Sequence, residues 1–186
     1  FRRVLFRSLQ ITTTLEGLKL ADYLGFDYAI KIRTDMRFYN TKVFDYFDFL
    51  AESHDRESKY QKIYVPNFNS FYKRVYSPTD QFQFGKTKTL IDFWTLANPN
   101  SLKKSNSTEL SPEQILTISY LEKHGEDLNW KLVENIKLLN KYFVMFDESA
   151  IDLIWMKGSL RELRSRMAST DNVDKLGMFE YWEWRK

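Results

Sequence analysis

The chain has 186 residues and a formal net charge of +3, and 43% of its residues are hydrophobic, 28% charged and 17% aromatic. This length and balance predict a globular domain with a sizeable core that is rich in aromatic rings. The absence of cysteine excludes a disulfide scaffold, a thiolate zinc site and a cysteine nucleophile, and no apolar run approaches the roughly 20 residues that a membrane helix needs.

The first eight residues, FRRVLFRS, have the sequence that translation of the end of a common sequencing-library adapter produces. We therefore expect residues 1–8 to be an artefact and exclude them from the fold prediction; the alternative is a genuine basic helix start. Without Arg2, Arg3 and Arg7 the basic count falls from 28 to 25, against 25 acidic residues. The positive charge then gives no reason to expect nucleic-acid binding. On this interpretation residues 9–186 form a single domain, the C-terminal fragment of a longer protein.

In the first part of the chain, helical and strand patterns alternate. Residues 9–24 have the apolar spacing of a helix, and Gly25 stands where helices often end. The segment 27–33, around YAIKI, reads as a buried strand, and TKVFDYFDFLAES (41–53) reads as a helix with one apolar face.

The alternation continues in the rest of the chain. The predicted elements are a strand at 62–68, a half-buried strand at 80–86, a helix at 87–97, a polar loop at 98–111, helices at 111–125 and 127–140, and strands at 141–146 and within 150–158. The helix that begins at SPEQ carries a capping box formed by Ser111 and Gln114, with Pro112 at its first position. Strands that alternate with helices predict an α/β fold with a largely parallel sheet.

Three charged residues, Arg33, Asp35 and Arg37, follow the first predicted strand. In open α/β sheets, ligands bind at the carboxyl ends of the strands. A carboxylate at that place suits Mg²⁺ or Mn²⁺ carrying a diphosphate, and the arginines suit phosphate oxygens directly. A structural Arg–Asp pair that closes the strand explains the same residues about equally well.

Two more carboxylates are candidates for a general base. Asp80 follows the turn signal Ser77-Pro78-Thr79 and is suited to bind a hydroxyl or accept a proton, although a turn-capping aspartate is the simpler interpretation. Glu113 lies in the first turn of its helix, where the helix dipole stabilises a negative charge whatever its function. It also follows the long polar loop, where a base would face a substrate.

Three segments, taken in order, resemble one family. They are GLKLADYLGFDYAIKIRTDMRFYN, IYVPNFNSFYKRVYSPTDQFQFG and SPEQILTISYLEKHG. Together they are similar to the WavE lipopolysaccharide synthesis proteins, bacterial glycosyltransferases with a GT-A-like fold, over roughly residues 10–157. The most specific part of the resemblance is the pair KIRTDMRF and SPTDQFQFG.

The resemblance implies an enzyme that moves a sugar from a nucleotide-sugar donor to an oligosaccharide or lipid-linked glycan, in the cytoplasm at the inner membrane. Arg33, Asp35 and Arg37 would bind the donor diphosphate, and Asp80 and Glu113 would be the catalytic residues. In such a reaction a carboxylate deprotonates the acceptor hydroxyl.

The resemblance departs from the family pattern at the metal site. GT-A enzymes hold a divalent cation with an Asp-x-Asp motif; here Asp35 falls at the second acidic position and Arg33 at the first. A Mn²⁺ or Mg²⁺ cofactor would therefore depend on Asp35, with Arg33 taking over part of the cation's role. A non-catalytic carbohydrate-binding or glycan-assembly protein with the same fold is the main alternative, and a nucleotidyltransferase on a related sheet is a further one.

Overall fold

The computed structural model describes residues 2–55, 60–71, 74–96 and 110–156, with side chains from residue 9 onward. Within these ranges the helices are α1 (Arg2–Tyr23), α2 (Val43–Asp55), α3 (Thr87–Trp94), α4 (Pro112–Lys123) and α5 (Leu132–Tyr142). The strands are β1 (Tyr28–Ile32), β2 (Met36–Phe38), β3 (Ile63–Pro66), β4 (Phe82–Lys86), β5 (Phe143–Phe146) and β6 (Leu153–Trp155), with a short 3-10 helix at Glu148–Ile151. The predicted α/β class is confirmed. Across the described residues, no helix combines the length and apolar character needed to cross a membrane.

Four strands form the main sheet in the order β1-β4-β3-β5. β4 is antiparallel to both of its neighbours, and β3 and β5 are parallel. The described sheet is therefore mostly antiparallel, and the prediction of a largely parallel sheet is not confirmed. The reason lies in the connection from β3 to β4: its described residues, 67–71 and 74–81, contain no helix, so the chain enters β4 at the edge where it left β3.

One edge of this sheet collects the ends of several strands. β1, β3 and β5 run in the same direction, with the reversed β4 between β1 and β3. In the register, Ile32 lies opposite Phe82 and Pro66 opposite Phe146. The residues that follow β1, β3 and β5 and the residues that precede β4 thus share one edge, which we call the strand-end edge.

A second sheet of two strands contains β2, the strand that follows β1 in the chain. β2 pairs with β6 in antiparallel register, with Met36 opposite Trp155 and Phe38 opposite Leu153. The segment between β1 and β2, which contains Arg33 and Asp35, is thereby fixed against β6. β2 was not predicted from the sequence, whereas β6 falls within the predicted strand at 150–158.

The sheet is covered on both faces, and aromatic rings dominate the core. α2 covers one face, where Phe47 stacks on Phe84 with ring centres 4.4 Å apart. α1, α3, α4 and α5 supply the other face, with Leu90 and Trp94 fully buried. The predicted aromatic core is present, and the two covered faces leave the edges of the sheet as places for a site.

The start of α4 confirms the predicted capping box. The Ser111 hydroxyl accepts from the Gln114 backbone N–H at 3.4 Å, and the Gln114 side chain accepts from the Ser111 N–H at 3.1 Å. The Gln114 amide also donates to the Val75 carbonyl at 3.0 Å. This last bond ties the first turn of α4 to the β3–β4 connection. It brings Glu113 towards Asp80.

Candidate functional site

Arg33 and Asp35 form a bidentate ion pair at the strand-end edge. Arg33 donates from Nε to Oδ1 at 2.9 Å and from Nη2 to Oδ2 at 3.0 Å. Trp155 donates from its indole N–H to Oδ2 at 3.0 Å. The hydrogen bonds from Arg33 hold the pKa of Asp35 far below its ordinary value, although burial opposes the shift. The structural Arg–Asp pair, which the sequence left open as an alternative, is therefore present.

The residues around Asp35 do not fit a divalent cation as they are arranged. Both carboxylate oxygens already accept hydrogen bonds from Arg33 or Trp155, so a cation would have to displace the arginine. Within the described part of the chain, no three His, Cys, Asp or Glu side chains come together as metal ligands. Arg37 is exposed and donates to the carbonyls of Thr34 and Met36 at 3.0 and 2.7 Å. Those hydrogen bonds direct the Arg37 guanidinium towards the backbone of its own segment.

Asp80 is buried, and hydrogen bonds hold both its carboxylate and the turn before it. It is 5% exposed, and its Oδ2 accepts from the Gln10 amide of α1 at 2.7 Å. The preceding residue, Thr79, donates from its N–H to the Ser70 hydroxyl at 2.9 Å, and Ser70 donates in turn to the Pro66 carbonyl at 3.1 Å. These bonds fix the turn that places Asp80 just before β4.

The same connection contains a strained residue. Tyr76 is fully buried and has a left-handed backbone with φ of 57°, a conformation that bulky side chains rarely adopt. Its N–H donates to the Asn135 side chain at 2.7 Å, and its hydroxyl donates to the Asn129 carbonyl at 2.6 Å. These two hydrogen bonds hold Tyr76 in its strained backbone conformation, and such strained residues are often found in functional segments.

Glu113 lies close enough to Asp80 for their charges to interact. Burial is the main effect that raises the pKa of Glu113, and the negative charge of Asp80 raises it further. The Ser111 hydrogen bond and Arg74 act in the opposite direction. The structure thus brings together the two carboxylates that the sequence singled out, which are 33 positions apart along the chain. A carboxyl group with a raised pKa suits proton transfer near neutral pH.

The two groups of charges also interact with each other. The charge of Asp80 contributes to raising the pKa of Arg33, although the hydrogen bond to Asp35 is the larger cause. Arg33, Asp80 and Glu113 therefore belong to one electrostatic site at the strand-end edge. Arg37 has no contact with them among the described interactions and stays at the periphery.

Lys31 and Gln10 are site residues that were missed from the sequence. Lys31 lies on β1 with 9% of its surface exposed and reaches the Asp80 turn. A lysine at the fourth position of the apolar strand YAIKI is a signal that could have identified it, because buried lysines need a polar partner. Nothing in the sequence around Gln10 marks it, since its partner is 70 residues away.

Comparison with known proteins leaves the residues themselves as the basis for a functional assignment. No family model, no curated protein and no solved structure matches the chain.

Proposed function

We propose that the chain is a glycosyltransferase that moves a sugar from a nucleotide-sugar donor to a hydroxyl group of an oligosaccharide or lipid-linked glycan. The observation that carries the proposal is that the charge of Asp80, at the strand-end edge, interacts both with Glu113 and with Arg33. Two carboxylates beside a guanidinium provide both a base and a group that binds phosphate. The like-directed ends of β1, β3 and β5 at this edge are compatible with a GT-A-like sheet.

In the proposed reaction, Glu113 accepts the proton of the acceptor hydroxyl. The acceptor oxygen then forms a bond to the anomeric carbon of the donor sugar, and the bond from that carbon to the phosphate oxygen breaks. The diphosphate leaves with the electron pair. Burial and Asp80 both raise the pKa of Glu113, which suits it to accept a proton, while Asp80, fixed by Gln10, orients the acceptor.

Arg33 is the proposed partner of the donor diphosphate. Its bonds to Asp35 use Nε and Nη2, so the guanidinium fork retains further N–H groups for phosphate oxygens. About a third of its side chain, 34%, is exposed. Asp35 then orients Arg33 rather than binding a metal ion, and Arg37 supplies a second, peripheral positive charge. The site would work in the cytoplasm, next to the inner membrane.

The test is a panel of nucleotide sugars, with and without Mn²⁺, measured by thermal unfolding and by release of nucleoside diphosphate. A donor present at 100 times its dissociation constant is expected to add about 2.7 kcal/mol of stability. Glu113→Gln is expected to abolish release while the donor still stabilises the protein. Glu122→Gln, an exposed acid on the same helix, is the matched control. If no donor stabilises the protein or releases diphosphate, the proposal is wrong.

A carbohydrate-binding protein without transferase activity is the second candidate. The observation that favours it is the Asp35 carboxylate, whose two oxygens are already engaged by Arg33 and Trp155. Such a protein would bind glycans and show no diphosphate release with any donor. The same panel, extended to free oligosaccharides, separates the two functions.

A further inference from the structure

Lys31 is a buried charge on β1 that the proposed reaction does not yet use. Its Nζ donates hydrogen bonds to the backbone carbonyl of Asp80 and, at 3.5 Å, to that of Gln81. It also lies 5.1 Å from the centre of the Trp94 ring, in a cation–π arrangement. The lysine therefore joins β1 to the turn that leads into β4.

Acidic side chains face this ammonium group from three segments. Asp80 from the turn, Glu113 from α4 and Asp35 from the segment after β1 favour its charged form, whereas burial and the neighbouring Arg33 disfavour it. Burial is the largest effect and lowers the pKa of Lys31 to about 8. At pH 7 the group is still about nine-tenths charged.

The burial of Asp80 favours a positive charge nearby. Asp80 is 5% exposed, and its side chain accepts a hydrogen bond from the uncharged Gln10. A buried ionised carboxylate is costly unless a positive charge compensates it. We propose that Lys31 is a positioning residue of the site: it fixes the turn that carries Asp80 and supplies the positive charge that balances Asp80 and Glu113. Its effect on catalysis rests on the proposed function, whereas the charge balance rests on the contacts alone.

NMR titration of Lys31 tests the charge balance without any substrate. The side-chain signal of Lys31 is followed with pH in the wild-type protein, in Asp80→Asn and in Glu122→Gln. Removing the charge of Asp80 is expected to lower the pKa of Lys31 by about 1 unit, because an opposite charge at close range has an effect of this size. The Glu122→Gln control is expected to titrate like the wild type. Identical titration of Lys31 in the wild type and in Asp80→Asn overturns the proposal.

Measurements of turnover distinguish a role of the Lys31 charge from a role of Lys31 side-chain packing. As pH rises through about 8, Lys31 loses its proton, and wild-type kcat is expected to fall. Lys31→Arg keeps the positive charge and is expected to remove this decline at high pH. Lys31→Met keeps the apolar stem, and we expect kcat to fall about tenfold with little change in KM for the donor.

Two kinetic results would overturn the proposal: the same high-pH decline in Lys31→Arg as in the wild type, or a change in KM alone in Lys31→Met. The titration requires no variant of Lys31, so it decides the charge balance even where Lys31→Met does not fold. The titration also tests the charge balance if no donor is turned over. An absence of turnover would count against the transferase function and not against the charge balance.

Discussion

Ser70 lies inside the β3–β4 connection, and its replacement by alanine tests how Asp80 is held in place. Ser70 is fully buried, accepts from the Thr79 N–H at 2.9 Å and donates to the Pro66 carbonyl at 3.1 Å. Ser70→Ala removes both bonds and leaves the N–H of the buried Thr79 without this partner. An orphaned buried donor costs about 1–3 kcal/mol, so we expect the free energy of unfolding to fall by about 2 kcal/mol.

Urea unfolding measures this loss, with Ser53→Ala as the matched control. Ser53 is exposed, and its hydroxyl donates to the Phe49 carbonyl within α2 at 2.7 Å. Because water can replace that bond, Ser53→Ala is expected to change stability by less than about 0.5 kcal/mol. Equal effects of the two substitutions would refute the claim that buried hydrogen bonds fix the Asp80 turn.

Three further substitutions test the ionisation of the site and the core. Because burial raises the pKa of Glu113, its charged form is disfavoured on folding. Glu113→Gln is therefore expected to be more stable than the wild type at pH 8 in urea unfolding, an advantage that shrinks as pH falls towards about 4. The pKa of Asp35 is lowered, so the stability that its ionised carboxylate contributes is present above about pH 4 and is lost as pH falls further. Asp35→Asn is therefore expected to lower the free energy of unfolding by about 1–2 kcal/mol at pH 7. A loss of stability that does not depend on pH would contradict this. Phe47→Ala is expected to cost about 3–5 kcal/mol, whereas thermal melts of Phe49→Ala, on the exposed face of α2, are expected to match the wild type; equal losses would contradict the assignment of the core face.

Local structure could be predicted where neighbouring residues determine it. The capping box of Ser111 and Gln114 depends on four consecutive residues, and it forms as predicted. Gly25 adopts the left-handed φ of 81° expected after a helix. The spacing predicts an apolar face of α2 made of Val43, Phe44, Phe47, Leu50 and Ala51; four of these are buried, whereas Phe44 is 62% exposed and was wrongly included. In each case the physical cause lies within one or two helical turns.

The pairing of strands could not be predicted, because it depends on contacts that are distant in sequence. The pattern of DQFQFGK marks a strand but gives no information about its direction or its neighbours. β4 pairs with both β1 and β3, and the reversed direction of β4 follows from a connection without a helix in its described part. Asp80 itself lies before the strand rather than within it. The polar loop 98–111 falls outside the described residues except for its last two.

The site was predicted only in part, because it also depends on contacts between residues that are distant in sequence. Asp80 was identified after a turn signal and Glu113 in the first turn of a helix, and the fold brings them close enough for their charges to interact. Gln10 and Lys31, which donate hydrogen bonds to the side chain and the backbone of Asp80, come from other elements and were missed. Arg33 and Asp35 are only two positions apart, yet spacing alone could not distinguish a phosphate site from an ion pair. The ion pair itself, and the hydrogen bond that Trp155 on β6 donates to Asp35, become visible only in the structure.

Release of nucleoside diphosphate from a panel of nucleotide sugars is the most direct test of the central proposal. It is measured for the wild type and for Asp80→Asn combined with Glu113→Gln, with Glu122→Gln as the control. The proposal predicts that at least one donor releases diphosphate with the wild type and the control, and that release disappears in the double variant. Release that persists unchanged in the double variant, or no release from any donor with or without Mn²⁺, would contradict it.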